Sequence, residues 1–198
     1  MTPSVITEFL AYNFNVDTTN FHSLLDNPSP HVHPSFMHEL AREGDLLSAE
    51  VIYNAGSPLD QPDEIGRRPL HEAAFFGYVD MVRFFLDNGA VLDAPIHPFG
   101  HTALYLAVQQ SRYDVVQYLI KRGAQLDVAD ALLGTGLLHI AAAKNDMQMA
   151  GILIAAGIDV FHADKKGHTA RDVADRHGHK ALAAIFLKVM EHHARYAA

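Results

Sequence analysis

A nine-residue phrase recurs along this chain at nearly constant spacing, and such a recurrence leaves few folds open. Gly66-Arg-Arg-Pro-Leu-His-Glu-Ala-Ala, Gly100-His-Thr-Ala-Leu-Tyr-Leu-Ala-Val, Gly134-Thr-Gly-Leu-Leu-His-Ile-Ala-Ala and Gly167-His-Thr-Ala-Arg-Asp-Val-Ala-Asp begin 34, 34 and 33 residues apart. A second comb of glycines, Gly56, Gly89, Gly123 and Gly157, keeps the same period and extends it back to a unit containing Met37-His38-Glu39-Leu40-Ala41. A unit this short cannot enclose a core of its own, so the period predicts an array in which each unit is covered by the next.

The local chemistry of one unit reads as helix, turn, helix and loop. Thr102 and Thr169 stand where a hydroxyl can accept a bond from an orphan amide at a helix N-terminus, and Pro69 stands at a first helical position, where its missing N–H costs nothing. Gly44, Gly77 and Gly178 stop the short first helix, with Ser111 and Asn145 in the equivalent places. An apolar second helix such as Asp114-Val-Val-Gln-Tyr-Leu-Ile follows and ends at the second glycine, which can take the left-handed conformation that closes a helix. The stretches 90–99 and 124–133 are long enough to form extended fingers.

These residues resemble the ankyrin-repeat family. Its signature, Thr-Pro-Leu-His-x-Ala-Ala at the start of the first helix and Gly-Ala after the second, is matched by Pro69-Leu-His-Glu-Ala-Ala and Asn88-Gly-Ala, and by the other units in part. Arg68 and Gly136 depart from it by replacing the capping threonine, and Ser35-Phe-Met-His is a loose first copy. The resemblance implies an all-α solenoid of stacked helix-turn-helix units with finger-like β-hairpin loops. It divides the chain into an N-terminal segment, 1–33, and a repeat domain, 34–198, with units at about 34–65, 66–99, 100–133, 134–166 and 167–198. Thr169-Ala-Arg-Asp-Val-Ala looks like a C-terminal cap, with polar residues on a face that no later unit covers. Ser4-Val-Ile-Thr-Glu-Phe-Leu-Ala-Tyr is a candidate helix covering the other end.

Composition narrows the setting. With 198 residues, 49% of them hydrophobic, the chain is too apolar for general disorder, yet it holds no uninterrupted apolar run near the roughly 20 residues that cross a bilayer. The first Lys or Arg is Arg42, so the N-terminus lacks the basic region of a secretory signal, and a cytoplasmic protein is expected. There is no cysteine, hence no disulfide framework, thiol nucleophile or cysteine-bound zinc. Charge is uneven, −10 over residues 1–99 and +2 over 100–198. The acidic half, with Glu39, Glu43, Asp45, Asp63 and Glu64, should repel nucleic-acid phosphates and would steer a basic partner.

No glycine-rich phosphate loop, Gly-x-Ser-x-Gly elbow or His-Glu-x-x-His pair is present, and Asp93, His97 and His101 on one finger lack a nucleophile, so no catalytic residue and no cofactor is assigned. The 14 histidines form the rival signal. His38, His71 and His139 occupy the signature position, where an imidazole bonds to the backbone of an adjacent turn. The pairs His31/His33, His177/His179 and His192/His193 have no convergent carboxylate at metal-ligand spacing, and no metal ligand is assigned.

The resemblance implies protein–protein binding by a concave surface built from the finger tips and the first helices. An adaptor or inhibitor that acts as a monomer is the leading reading; a histidine-based metal- or ligand-responsive regulator and a secreted effector or toxin-neutralising protein are the alternatives. Phe75 and Phe76 mark the site. In register they stand opposite Arg42-Glu43, Gln109-Gln110, Ala143-Lys144 and Arg176-His177, mostly polar pairs, so the repeat core alone does not demand them. Ile65, Phe99 and Leu132-Leu133, each just before a repeat glycine, fall on the same side of a regular stack. With Arg67, His101, Gln109, Gln110 and Lys144 as a polar rim, these residues form the expected partner-binding patch.

Overall fold

The computed structural model describes residues 35–196, so the expected capping helix near the N-terminus lies outside the described residues. Ten helices follow one another in five pairs: α1 (Ser35–Glu43) with α2 (Leu46–Asn54), α3 (Pro69–Phe76) with α4 (Val79–Asp87), α5 (Ala103–Gln109) with α6 (Tyr113–Lys121), α7 (Leu137–Lys144) with α8 (Met147–Ala155), and α9 (Ala170–Arg176) with α10 (Lys180–Tyr196). The first helices α1, α3, α5, α7 and α9 pack on one another in chain order, and α2, α4 and α6 form a second row behind them. The fold is an all-α repeat solenoid. None of the described helices is long and apolar enough to cross a membrane.

The core is one continuous cluster running along the stack rather than five small ones. Alanines make the close approach possible: Ala41, Ala73, Ala74, Ala107, Ala142 and Ala174 are wholly buried where consecutive first helices touch. The second helices fill the space behind them with Phe85, Leu119, Leu153 and Phe186.

Helix starts follow two designs. Thr102 accepts from the Tyr105 amide at 3.3 Å, and Thr169 and Asp172 cap each other reciprocally, the Thr169 amide donating to Asp172 Oδ2 at 2.8 Å. Where Arg68 and Gly136 stand in place of threonine, the signature histidine does the capping. His71 Nδ1 accepts from the Arg68 amide at 2.9 Å and His139 Nδ1 from the Gly136 amide at 3.2 Å. The other ring nitrogen, Nε2, faces the carbonyl of Ala94 from His71 and that of His168 from His139, both at 2.8 Å. An amide can only donate and a carbonyl only accept, so each ring is the neutral Nε2–H tautomer and ties its helix to the following finger. His38 makes the same reach, to the Gln61 carbonyl at 2.9 Å.

At the end of α3, Gly77 takes φ 92°, and a Cβ there would stand 2.8 Å from the Arg112 side chain of the next unit. Ser111 and Asn145, in the equivalent places of their units, reach the same left-handed region at φ 53° and 55°. The second, third and fourth fingers are hairpins closed by a single antiparallel bridge each, Ile96 with His101, Ala129 with Gly136 and Ala163 with Thr169. An aspartate inside the turn takes the place of a longer ladder: Asp63, Asp130 and Asp164 each accept two backbone amides of their own hairpin.

Two polar groups link units strongly enough to give measurable effects. Asp146 caps α8 through the Met149 amide at 2.9 Å and also receives Ser111 Oγ at 2.9 Å and the Tyr113 hydroxyl at 3.1 Å from the preceding unit. Asp146→Ala is expected to lower unfolding free energy by about 2–3 kcal/mol in chemical denaturation, the cost of a cap plus charge-assisted bonds; a loss under about 0.5 kcal/mol would show that the inter-unit clamp is not engaged.

Burial, above all, pushes the His71 imidazole from 6.5 down to about 4, with Arg67 and Arg68 adding to the fall and the bond to Ala94 opposing it. The unfolded chain therefore takes up this proton first as pH drops. The stability that His71 confers is whole above about pH 6.5 and declines by roughly 3 kcal/mol as pH approaches 4. Burial lowers His139 in the same sense. Urea titrations between pH 7 and 4 should show this slope and should show it flattened in His71→Gln; an equal slope in the variant rules His71 out as its source.

Candidate functional site

The finger tips are locked to one another in a row. The amide of His97 donates to the Ile65 carbonyl at 2.8 Å, that of Ala131 to Phe99 at 2.8 Å and that of Lys165 to Leu133 at 3.0 Å. The three acceptors are the residues just before each repeat glycine, so their backbone is held while their side chains, and that of the adjoining Leu132, stay exposed: Ile65, Phe99, Leu132 and Leu133 are 44%, 39%, 59% and 58% exposed. These tips form one wall of a groove whose floor is the line of first helices.

Over α3 and α5 the groove opens into a depression of about 640 Å³. Its lining brings together Ile65, Arg67, Phe75, Phe76, Phe99, His101 and Gln109. Phe75 and Phe76 are half-buried, with rings edge-on at 5.1 Å, and they are not among the partly buried apolar side chains that pack on the core, as Phe84 does. Phe76 also stacks on Tyr78 at 6.3 Å. His101 stacks on Tyr105 at 4.1 Å and on Phe99 at 5.5 Å.

A neighbouring depression of about 560 Å³, sharing Gln109 with the first, lies over α7 and α9. Leu132, Leu133 and Lys144 line it, with Ile140, Ala143 and Val173 as an apolar floor. Lys144 donates from Nζ to the Gln109 carbonyl at 2.7 Å and to Ser111 Oγ at 3.0 Å. Gln110 stands apart as the cap residue after α5, outside the lining of either depression.

Charge in the first depression is neutralised from within. Glu72, 4% exposed, receives Arg67 at 3.0 Å and Arg42 at 3.3 Å. His101 Nε2 meets Asp130 Oδ2 at 2.8 Å. Desolvation raises the Asp130 carboxyl, but the amides of Leu133 and Leu132 and the His101 ring together outweigh it and hold the group below its ordinary range. In the second depression the single carboxylate is Asp164. The His168 amide, then that of Lys166 and the His168 ring, hold it down to about 2, so it is ionised and committed to its own hairpin.

Sequence reasoning left out Arg42, Glu72, Leu106, Asp130, Lys165, Lys166 and Arg176, all of which line the groove. A signal existed. The residue after the signature histidine gives the column Glu39, Glu72, Leu106, Ile140 and Val173, and the last four line the groove floor. Asp93 and His101, grouped on one finger by the sequence, have separate partners: Asp93 accepts the Gln125 amide, and His101 pairs with Asp130 of the next finger. Among the described residues no group of three or more His, Cys, Asp or Glu could hold a metal ion. A separate cleft of about 460 Å³ opens at the bases of the third and fourth fingers between Leu126, Leu137, Ile158 and Val160. His162 occupies part of the space that a side chain at Gly136 would fill.

Residues 37–130 match the family model for ankyrin repeats, which aligns three copies there. Over 66 residues, 32% of this chain, the sequence is 36% identical to protein phosphatase 1 regulatory subunit 27 of Homo sapiens, and equally so to that of Mus musculus. The match spans 43% of those relatives' own length. A helix pair of the same spacing continues beyond the matched segment, with the capping histidine again at α7, a threonine–aspartate cap at α9 and the same single-bridge finger between them; over residues 37–130 the chain is an array of ankyrin repeats.

Proposed function

We propose that this protein is a non-catalytic adaptor or inhibitor that binds a partner protein in its concave groove, acting as a monomer in the cytoplasm. The observation that carries this reading is the pair Phe75 and Phe76, two aromatic rings that face the first depression beside the exposed Ile65 and Phe99 instead of packing on the core. Apolar anchors at the centre of a concave surface, rimmed by Arg67, His101 and Gln109, have the composition of an interface rather than of a solvated face. The relatives found by similarity are named as regulatory subunits of protein phosphatase 1, which supports a role exercised on another protein and makes that phosphatase a defined first partner to try.

The alternatives have less behind them. His71 and His139 have both ring nitrogens engaged with backbone, which removes them as metal ligands. The basic partner expected from chain-wide charge draws support from the exposed Glu39, Glu43, Asp63 and Glu64, while Asp45 is taken up in capping α2.

Affinity capture from the source cell, followed by binding measurements with the captured partner, tests the reading. Phe76→Ala and Phe99→Ala should each weaken binding by about 2 kcal/mol, roughly thirtyfold, with melting temperatures within a few degrees of the parent. Two variants that melt far earlier while their folded fraction binds normally would assign these rings to stability and remove the groove from the function.

A further inference from the structure

We propose that the groove takes an extended peptide segment of the partner in which large apolar side chains and a cluster of carboxylates stand about six residues apart, the carboxylates lying over the second depression. This rests on the groove reading above and adds the chemistry of the occupant and the spacing of its charges.

The two depressions differ in charge. In the first, Arg42 and Arg67 share Glu72, and Asp130 meets His101, so two carboxylates stand in the lining against its two guanidinium groups. The second is bordered by Lys144, Lys165, Lys166 and Arg176, with His177 beside them. Among the described residues none of these four cations forms an ion pair. The hydrogen bonds of the two tethered ammonium groups go to neutral acceptors: Lys144 to the Gln109 carbonyl and Ser111 Oγ, and Lys165 to the Ala131 carbonyl at 2.6 Å. An ammonium has three N–H donors, so both keep capacity for an anion. Asp164, the one carboxylate in the lining, is committed to the Lys166 and His168 amides and the His168 ring. A chain of net charge −8 thus presents a local cationic basin in the C-terminal half of its groove.

The walls select the kind of anion. Leu132, Leu133, Ile140, Ala143 and Val173 make the walls aliphatic, and the one exposed ring at their edge, the His177 imidazole, is a small platform for stacking a nucleic-acid base. A polypeptide supplies apolar groups for these walls and for the Phe75–Phe76 end together with carboxylates for the cations. Consecutive first helices pack at about 8–10 Å, so the two depressions, two units apart, are separated by roughly 20 Å. An extended chain covers that distance in about six residues. The occupant therefore runs with its bulky side chains over α3 and α5 and its acids about six residues away, over α7 and α9.

A displayed library of random twelve-residue peptides, selected on the full-length protein at low salt, reads this directly. Enriched sequences should combine large apolar residues with two or more Asp or Glu at about that separation. Their binding should fall at least roughly tenfold in the double variant Lys165→Glu/Lys166→Glu, whose altered side chains are exposed, and in Phe76→Ala. Peptides that need Phe76 but carry no acids, or that bind the double variant as well as the parent, overturn the acidic-segment proposal and leave the groove reading standing. Absence of enrichment, or binding indifferent to Phe76→Ala, overturns both. A twenty-nucleotide oligothymidylate that displaces the selected peptides at equal concentration assigns the basin to nucleic acid instead.

Discussion

The stack of helix pairs depends on one unit burying the apolar face of the next. A single helix pair with its finger is too thin to remove its own leucines and alanines from water, and stability in such an array is a sum of weak units and strong interfaces. The histidine of the signature belongs to this constraint. His71 and His139 each satisfy an orphan amide at the start of their own helix and a carbonyl in the following finger. One neutral ring thereby fixes both the helix start and the spacing to the next unit, and it can do so only while it is neutral and dry.

Polar side chains repeat this economy along the groove. The last exposed carbonyls of the first helices are met by a donor from the unit that follows: Arg112 Nε bonds Phe75 O at 3.0 Å, Lys144 Nζ bonds Gln109 O, and His179 Nε2 reaches Ala143 O at 3.3 Å. Donors of this kind, cationic in two cases, suit the negative end of a helix. They also limit what the surface can offer a partner, since Lys144 has two of its three N–H donors engaged before anything binds. The finger tips show the reverse arrangement, with backbone carbonyls bonded to the next finger and side chains left exposed.

Net charge and local charge have opposite signs here. In the N-terminal half Asp45 serves as a cap, Asp63 as a turn aspartate and Glu72 as the partner of arginines, while Glu39, Glu43 and Glu64 stay exposed; the cations of the fourth and fifth units gather around one depression. At physiological ionic strength, with screening over about 8 Å, a bound segment senses the groove it occupies more than the chain as a whole.

The sequence alone determined the period, and with it the number of helix pairs, the breaks at Gly44, Gly77, Ser111, Asn145 and Gly178, the threonine caps and the column of finger tips. All of these are local or strictly periodic, so they are written in single residues at fixed offsets. Most of the candidate patch was legible for the same reason: residues in equal register must line up when units stack, which placed Ile65, Phe75, Phe76, Phe99 and Leu133 on one side. What only the tertiary structure decided are pairings across units that no offset announces. Glu72 with Arg42, His101 with Asp130, and Asp146 with Ser111 and Tyr113 join residues some 30 positions apart through side-chain reach and direction. The division of the groove into a neutralised apolar half and a cationic half follows from those pairings, because a charge list gives how many carboxylates a chain has, and only packing decides which cations they leave unmatched.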